Sequence, residues 1–218
     1  MGGRVQVVVT RAEEQARPLA ARLEALGADV VLCPLVRVEA LGDERIDVAG
    51  YDWVVVTSPN GAAELARRVA GRPGQLAAIG PGTAAALREH GLEPDLVPAT
   101  STQEGLLAAL PDPPGRVLLA AAEGARRLLV DEVGADFLPL YRTVELIPDE
   151  PPEGDLVVLA SPSAARAFAA TGARLPAVAI CPQTADAARS LGIELAAEAD
   201  THDLDGLVAA VERALATM

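Results

Sequence analysis

Two short segments of the sequence have the residue types of an anion-binding helix start. Ser58 and Asn60 flank a proline in "SPN", and Ser161 and Ser163 flank another in "SPS", each between an apolar run and an alanine-rich stretch. Serine is a favoured N-cap and proline fits the first helical turn, so both segments predict helix N-termini. The free N–H groups and the positive dipole end of such a turn can bind carboxylates. Capping alone is an equally good interpretation of both serines.

The same kind of helix start is predicted at four other places. Thr83 and Thr184 stand in two "P-x-T" segments, and Thr10 and Ser101 each precede a glutamate by three residues, as in a capping box. If all six starts face one cleft, they present many N–H groups to a ligand with several carboxylates. The predicted ligand-binding residues at these four starts are Thr10 with the adjacent Arg11, Thr83, Thr102 and Thr184.

The composition excludes several functional classes. A net charge of −13 argues against binding to nucleic acid, which requires a basic face. The chain contains no lysine, so Schiff-base chemistry and a phosphate-loop lysine are excluded. Cys33 and Cys181, with only two histidines in the chain, match no metal spacing, and we expect neither a metal nor a cofactor.

The sequence has no feature of a membrane or secreted protein. No apolar run reaches the roughly 18 to 20 residues that a membrane span needs, and the apolar part of the N-terminus is too short for a secretory signal. We therefore expect a cytoplasmic protein without a membrane partner.

Extended and helical patterns alternate along the chain. Short apolar runs such as "VQVVVT", "DVVLC", "DWVVVTS" and "LAAIG" are separated by alanine-, leucine- and arginine-rich stretches with helical spacing. This alternation predicts an α/β fold, in which helices cover both faces of a parallel sheet. Glycines stand where the predicted helices end, at Gly27, Gly71, Gly91 and Gly192.

The second half of the sequence repeats the first. The nearly constant offset between separated matches indicates a duplicated unit rather than chance similarity. The matched pairs are Ser58 and Ser161 at 103 residues, Thr83 and Thr184 at 101, and Gly105 and Gly206 at 101.

A short extended segment is also written twice, as "PLVRVE" from residue 34 and "PLYRTVE" from residue 139. Each of the two large repeat units could form one lobe by itself. Alternatively, the first part of each repeat unit could pack with the second part of the other unit, and the repetition of the short extended segment favours this second arrangement. We therefore predict two lobes, each a parallel sheet flanked by helices, joined by a two-stranded linker that the chain crosses twice. Lobe 1 would contain residues 1–34 and 147–218, lobe 2 residues 40–138, and the linker strands residues 35–39 and 139–146.

Seven motifs in order carry a family resemblance that covers nearly the whole chain. They are "VVVTR", "YDWVVVTSPNG", "AIGPGTAAAL", "STQEGLLAAL", "LYRTVE", "ASPSAARAF" and "CPQTADAARSLG". Together they are similar to the uroporphyrinogen-III synthase family. The resemblance implies a lyase of haem biosynthesis that cyclises hydroxymethylbilane with inversion of ring D. It also implies a linear tetrapyrrole substrate with eight carboxylates, which hydroxymethylbilane synthase would hand over to this protein. We expect the protein to be a monomer.

Tyr141 occupies the repeated extended segment at the place where the first copy has Val36. The resemblance implies that Tyr141 is the catalytic, proton-donating tyrosine of the family. A β-forming residue that fills a linker strand is the alternative interpretation.

Two alternatives for the whole chain also stay open: a ligand-binding or sensor module that has lost catalysis, and a two-domain nucleotide enzyme. The second is weakened because no G-x-G-x-x-G or phosphate loop follows a strand.

Overall fold

The computed structural model describes residues 4–217. Its strands are β1 (Gln6–Val9), β2 (Asp29–Leu32), β3 (Val36–Ala40), β4 (Ile46–Asp47), β5 (Trp53–Val56), β6 (Val69–Ala70), β7 (Gln75–Ala78), β8 (Val117–Ala122), β9 (Asp136–Glu145), β10 (Leu156–Leu159), β11 (Ala177–Ala179) and β12 (Leu195–Glu198). Its helices are α1 (Glu13–Ala25), α2 (Pro59–Arg68), α3 (Pro81–Glu89), α4 (Gln103–Ala109), α5 (Leu128–Val133), α6 (Pro162–Thr171), α7 (Pro182–Ser190) and α8 (Leu204–Leu215). The parallel sheets flanked by helices confirm the predicted α/β class.

The chain divides into two compact units. Unit 1 contains the residues up to Arg37 and those from Thr143 onward, and unit 2 contains Val38–Arg142. The chain therefore passes from one unit to the other within β3 and again within β9. Both passages lie inside the segments that the sequence analysis assigns to linker strands.

Unit 1 is built on a five-stranded parallel sheet in the order β12-β11-β10-β1-β2. Its central strands are buried on both faces, which explains their continuous apolar runs. On one face, Val7 and Val9 pack with residues of α1 and α8. On the other, Val8 packs with residues of α6 and α7, including the fully buried Phe168.

Unit 2 contains a sheet in the order β3-β9-β8-β5-β7, in which β9, β8, β5 and β7 are parallel. Val54 and Val56 pack with α2 and α3 on one face, whereas Val55 packs with α4 and α5 on the other. A short parallel pair, β4 with β6, forms a separate two-stranded sheet. Both units are therefore three-layered, with helices on both faces of a sheet.

Strands β3 and β9 are neighbours in the sheet order and run antiparallel. The Leu146 N–H donates to the Leu35 carbonyl, and the Leu41 N–H donates to the Leu140 carbonyl. Residue numbers therefore rise along one strand as they fall along the other, which is the antiparallel pattern.

Several predicted helix ends are confirmed and others are wrong. Ser58 and Ser161 are the N-caps of α2 and α6, as predicted. The two capping boxes are wrong, because the N-cap of α1 is Ala12, without a side-chain hydrogen bond, and α4 is capped by Thr102 rather than Ser101. Glycines with positive φ follow α1, α3 and α7 as predicted, whereas Gly71 follows the short strand β6. Within the described residues, no helix is long and apolar enough to cross a membrane.

Candidate functional site

Each unit has one place where its strand order reverses. In unit 1 the chain goes from β1 to β2 on one side and later returns to β10 on the other side of β1. In unit 2 it goes from β5 to β7 and then to β8 on the opposite side of β5. Ligands of open α/β sheets bind outside the carboxyl ends of the strands at such switch points. The loops after β1, β10, β5 and β8 are therefore the candidate binding loops.

In unit 2, the loop after β5 brings Ser58 against Tyr141. Ser58 Oγ accepts the Gly61 N–H at 3.0 Å and so caps α2, and it lies 2.8 Å from Tyr141 Oη on β9. The Asn60 side chain is a second hydrogen-bond partner of the phenol. Ser58 and Asn60 thus form one cluster of hydroxyl and amide groups with Tyr141, which is distant from them in sequence, at the carboxyl end of the sheet.

A β-bulge in β9 decides where the Tyr141 side chain points. Ala121 pairs with Pro139 and Ala122 pairs with Tyr141, so Leu140 is an extra residue on β9. Strand alternation would send Leu140 and Tyr141 to opposite faces, yet both belong to the apolar cluster under α2 and α3. The bulge therefore turns the phenol toward the first turn of α2, as bulges beside functional sites often re-aim a side chain.

Burial controls the acidity of Tyr141. Its side chain is only 5% exposed, and the loss of hydration raises the pKa of the phenol above its usual value near 10. Hydrogen bonds from Ser58 and Asn60 oppose this increase in pKa because they stabilise the phenolate. At neutral pH the phenol is protonated, so it can donate a hydrogen bond or a proton to a ligand.

The loop after β8 is a part of the site that the sequence analysis missed. The Glu123 N–H donates to the Tyr141 carbonyl, which places this loop beside the tyrosine. Gln103 on α4 holds this loop in place, because its side-chain amide donates to the Arg126 carbonyl at 2.7 Å and accepts the Leu128 N–H at 3.0 Å. Gln103 lies in the motif "STQEGLLAAL", but the sequence analysis gave it no role, since a single glutamine in a helix start is usually exposed.

In unit 1, the loop after β1 carries an arginine with an unsatisfied nitrogen. Arg11 is half-buried, its Nη2 lies 3.3 Å from Gln15 Oε1, and its buried Nε has no hydrogen-bond partner. Burial lowers the pKa of this guanidinium, although it stays cationic at neutral pH. Buried polar nitrogens in proteins are almost always hydrogen-bonded, so the Arg11 side chain is a candidate anion-binding group.

The loop after β10 forms the unit 1 counterpart of the Ser58 site. Ser161 caps α6 by accepting the Ala164 N–H at 3.1 Å, and its Oγ lies 3.0 Å from the Ser163 hydroxyl. No tyrosine takes part, because the matching residue of the repeat is Val36. Among the described residues, no His, Cys, Asp or Glu cluster is arranged to hold a metal ion.

The predicted threonines are placed differently from the serines. The side chains of Thr10, Thr83 and Thr184 are almost completely buried, and the Thr10 hydroxyl donates to the Val158 carbonyl at 2.7 Å. Thr184 Oγ1 lies 3.3 Å from the sulfur of Cys181. Thr102 accepts the Gly105 N–H as the cap of α4. The hydroxyls of Thr10, Thr102 and Thr184 contact protein atoms and Thr83 is buried, so any ligand contact near these residues would come from backbone N–H groups.

Two doubly wound units, each with polar helix starts at its switch point, define a two-unit α/β protein. A family model described as uroporphyrinogen-III synthase HemD matches residues 17–209. The chain belongs to the uroporphyrinogen-III synthase family.

Relatives with known names agree with this membership. The chain is 27% identical to a uroporphyrinogen-III synthase of Synechococcus elongatus, over 95% of this chain and 94% of that protein. A Methanocaldococcus jannaschii protein, itself only provisionally assigned as this synthase, is 27% identical over 151 residues, which are 65% of this chain and 63% of that protein. A crystal structure of a mutant uroporphyrinogen III synthase from Thermus thermophilus aligns with a TM-score of 0.65 at 21% identity, over 98% of this chain and 100% of that one. This structural likeness supports the fold.

Proposed function

We propose that the protein is a uroporphyrinogen-III synthase, a lyase that removes water from hydroxymethylbilane and closes the macrocycle with ring D inverted. Membership of the family provides the reaction. The observation that supports it most directly is the buried Tyr141 phenol, 2.8 Å from Ser58 Oγ at the carboxyl end of the unit 2 sheet. Such a protonated phenol is a suitable general acid for the departure of a hydroxyl.

The proposed first step breaks the C–O bond of the hydroxymethyl group on ring A. The electron-rich pyrrole supplies the electron pair that replaces this bond, and the departing oxygen takes the Tyr141 hydrogen and leaves as water. The products of this step are an azafulvene cation and a tyrosine phenolate. The hydrogen bonds from Ser58 and Asn60 stabilise the phenolate until it regains a proton.

The later steps depend on conformation more than on acid or base groups. The substituted carbon of ring D attacks the azafulvene and forms a spiro intermediate, which reopens and recloses with ring D inverted. A ring carbon loses its proton when the macrocycle closes, and this proton restores the phenol. The protein's task is to hold ring D in the orientation that attacks through its substituted carbon.

The eight substrate carboxylates need anion-binding groups on a protein with a net charge of −13. Backbone N–H groups at the helix starts supply partial positive charge without adding cationic side chains. We propose Arg11, Ser161 and Ser163 of unit 1 and Asn60 of unit 2 as side-chain contacts. Backbone N–H groups would bind further carboxylates in the loops or first helical turns that contain Thr10, Thr83, Thr102 and Thr184. Arg11 is the strongest of these candidates because its buried Nε lacks a partner.

The proposal includes a cellular setting. We place the reaction in the cytoplasm, where a reducing environment keeps Cys33 and Cys181 as the free thiols seen here. The protein would act as a monomer and would receive the reactive bilane from hydroxymethylbilane synthase.

A coupled assay tests the proposed function. Hydroxymethylbilane generated in situ is incubated with the protein, and the products are oxidised and separated as porphyrin isomers I and III. We expect isomer III in excess over the isomer I that forms spontaneously. A product that contains isomer I alone would contradict the synthase function and leave ligand binding without catalysis.

A further inference from the structure

Ser58 has hydrogen-bond partners in two different elements. Its Oγ accepts the Gly61 N–H in the first turn of α2 and also lies 2.8 Å from Tyr141 Oη on β9. A serine oxygen has two lone pairs and one hydrogen. Accepting from Gly61 therefore leaves one hydrogen and one lone pair for the contact with the phenol.

The direction of the Ser58 to Tyr141 hydrogen bond follows from what the phenol must do. If Tyr141 donated to Ser58, its one hydrogen would be engaged within the protein and could not reach a departing hydroxyl. If Ser58 donates, the phenol keeps its own hydrogen for a ligand. The Gly61 N–H polarises the serine hydroxyl, and this cooperativity favours Ser58 as the donor.

We infer that Ser58 is a positioning residue that acts through Tyr141, rather than a contact for a substrate carboxylate. This inference rests on the proposed synthase function, in which Tyr141 is the acid. Ser58 connects the phenol oxygen to the positive end of the α2 dipole, where negative charge is stabilised as the phenol gives up its hydrogen. Asn60, two residues along the same turn, is a second hydrogen-bond partner of the phenol.

The repeat contains a natural control for this role. Ser161 caps α6 with nearly the same extended backbone as Ser58, and it accepts the Ala164 N–H at 3.1 Å. Its second partner is Ser163, so Ser161 has the cap without the tyrosine. In a measurement of the Tyr141 pKa, Ser161→Ala therefore reports the loss of a helix cap that has no tyrosine partner.

The first test measures the phenol directly. The chain has two tyrosines, so Tyr51→Phe leaves Tyr141 as the only one, and 3-fluorotyrosine then reports its pKa by 19F NMR. Ser58→Ala should raise this pKa by about one unit, the size of one hydrogen bond to the phenolate. Ser58→Thr, which keeps a hydroxyl, should restore the pKa, and Ser161→Ala should not change it.

A second variant keeps this test decisive if Ser58→Ala folds poorly. Ser58→Gly removes the hydroxyl while glycine remains an acceptable N-cap. The same increase in the Tyr141 pKa is expected. An unchanged pKa in the folded Ser58→Gly protein would overturn the inference.

Turnover gives an independent measurement. Ser58→Gly should lower kcat about three- to tenfold when Tyr141 is present, and less than about twofold in a Tyr141→Phe background, because both residues act through one proton. Equal losses in the two backgrounds would show a direct substrate contact and contradict the inference. Full activity in Tyr141→Phe would instead contradict the proposed acid, while the pKa measurement still decides whether Ser58 supports the phenol.

Discussion

Among the individual residues, Tyr141 has a pKa on which its surroundings have two opposing effects. Burial disfavours its ionised form, whereas hydrogen bonds from the first turn of α2 favour it. The result is a phenol that keeps its proton at neutral pH and has support for the charge that forms when it donates. A tyrosine on an exposed strand would also keep its proton at neutral pH, but it would lack this support for the charge.

Tyr141→Phe removes the donor and keeps the ring that packs under α2 and α3. We expect turnover to fall by about ten- to ten-thousand-fold, the range for a positioned general acid. The residual product should remain isomer III, because the protein still orients ring D. Rate and isomer ratio from the coupled assay check both statements.

Val36, the repeat counterpart of Tyr141, provides the matched control. Its side chain is buried in the core of unit 1, so Val36→Ala should cost about 2 kcal/mol of stability through the loss of two methyl groups. Its turnover per folded molecule should stay near that of the wild type. Wild-type turnover in a folded Tyr141→Phe protein would contradict the acid role, and a change to isomer I would show that the phenol orients ring D.

The raised pKa of Tyr141 also predicts how stability depends on pH. The unfolded chain loses the phenolic proton near pH 10, below the pH at which the folded protein loses it. The stability linked to this group is therefore complete below about pH 10 and declines as pH rises toward the folded pKa. Urea midpoints between about pH 8 and 11 should fall more steeply for the wild type than for Tyr141→Phe. The contribution of Tyr51 to the pH dependence cancels in this comparison, because both proteins contain it. Parallel declines of the two urea midpoints would contradict the linkage.

Among the elements, the starts of α4 and α8 share a close approach that only glycine allows. Gly105 and Gly206 occupy the third position of their helices and donate to the caps Thr102 and Asp203. A Cβ at either glycine would collide with the carbonyl of Thr100 or Thr201. The same backbone turn, conserved between the two copies of the repeat, explains why the glycines match at a constant offset.

Gly105→Ala and Gly206→Ala should each destabilise the protein by about 1–3 kcal/mol, because the backbone must shift to relieve the collision. This is the net change in stability, after the roughly 1 kcal/mol that alanine gains over glycine inside a helix. Gly124→Ala is the control, since no atom lies near its added methyl group. Chemical denaturation measures all three, and an unchanged or raised stability in the first two would refute the collision.

Gln103 links α4 to the loop beside Tyr141. Gln103→Met should cost about 1–3 kcal/mol, because the Arg126 carbonyl and the Leu128 N–H would lose their partner. Hydrogen exchange at the Leu128 amide should accelerate at least about tenfold. Glu104→Gln, which breaks an exposed ion pair with Arg126 on the same loop, should change stability by less than about 0.5 kcal/mol. Unchanged exchange in Gln103→Met would show that the loop does not depend on this residue.

At the scale of the whole molecule, charge opposes the proposed substrate. The protein carries a net charge of −13 and the bilane carries eight carboxylates, so long-range repulsion should slow their encounter. Salt shortens the range of this repulsion from about 30 Å at 0.01 M to about 8 Å at 0.15 M. We expect kcat/KM to rise between these two salt concentrations. A fall would show that local cations such as Arg11 dominate the encounter.

The sequence alone determined the α/β class and the helix starts at Ser58 and Ser161, and it predicted the duplication and the two chain passages between units. These features depend on local periodicity and on residues with strong backbone preferences, which are readable without a structure. The two capping boxes predicted at α1 and α4 were wrong for a local reason, because a hydroxyl near a helix start has several possible hydrogen-bond partners. Thr10, for example, donates to the neighbouring strand β10 instead of capping α1.

Only the tertiary structure decided how the site is assembled. The bulge at Leu140 turns Tyr141 toward Ser58, 83 positions away in sequence, and Gln103 reaches the loop after β8 from another helix. The unpartnered Nε of Arg11 is likewise a result of burial. Strand register and burial arise from the packing of distant segments, and a register shift of one residue reverses the face of every side chain beyond it. No local pattern in "PLYRTVE" contains that information.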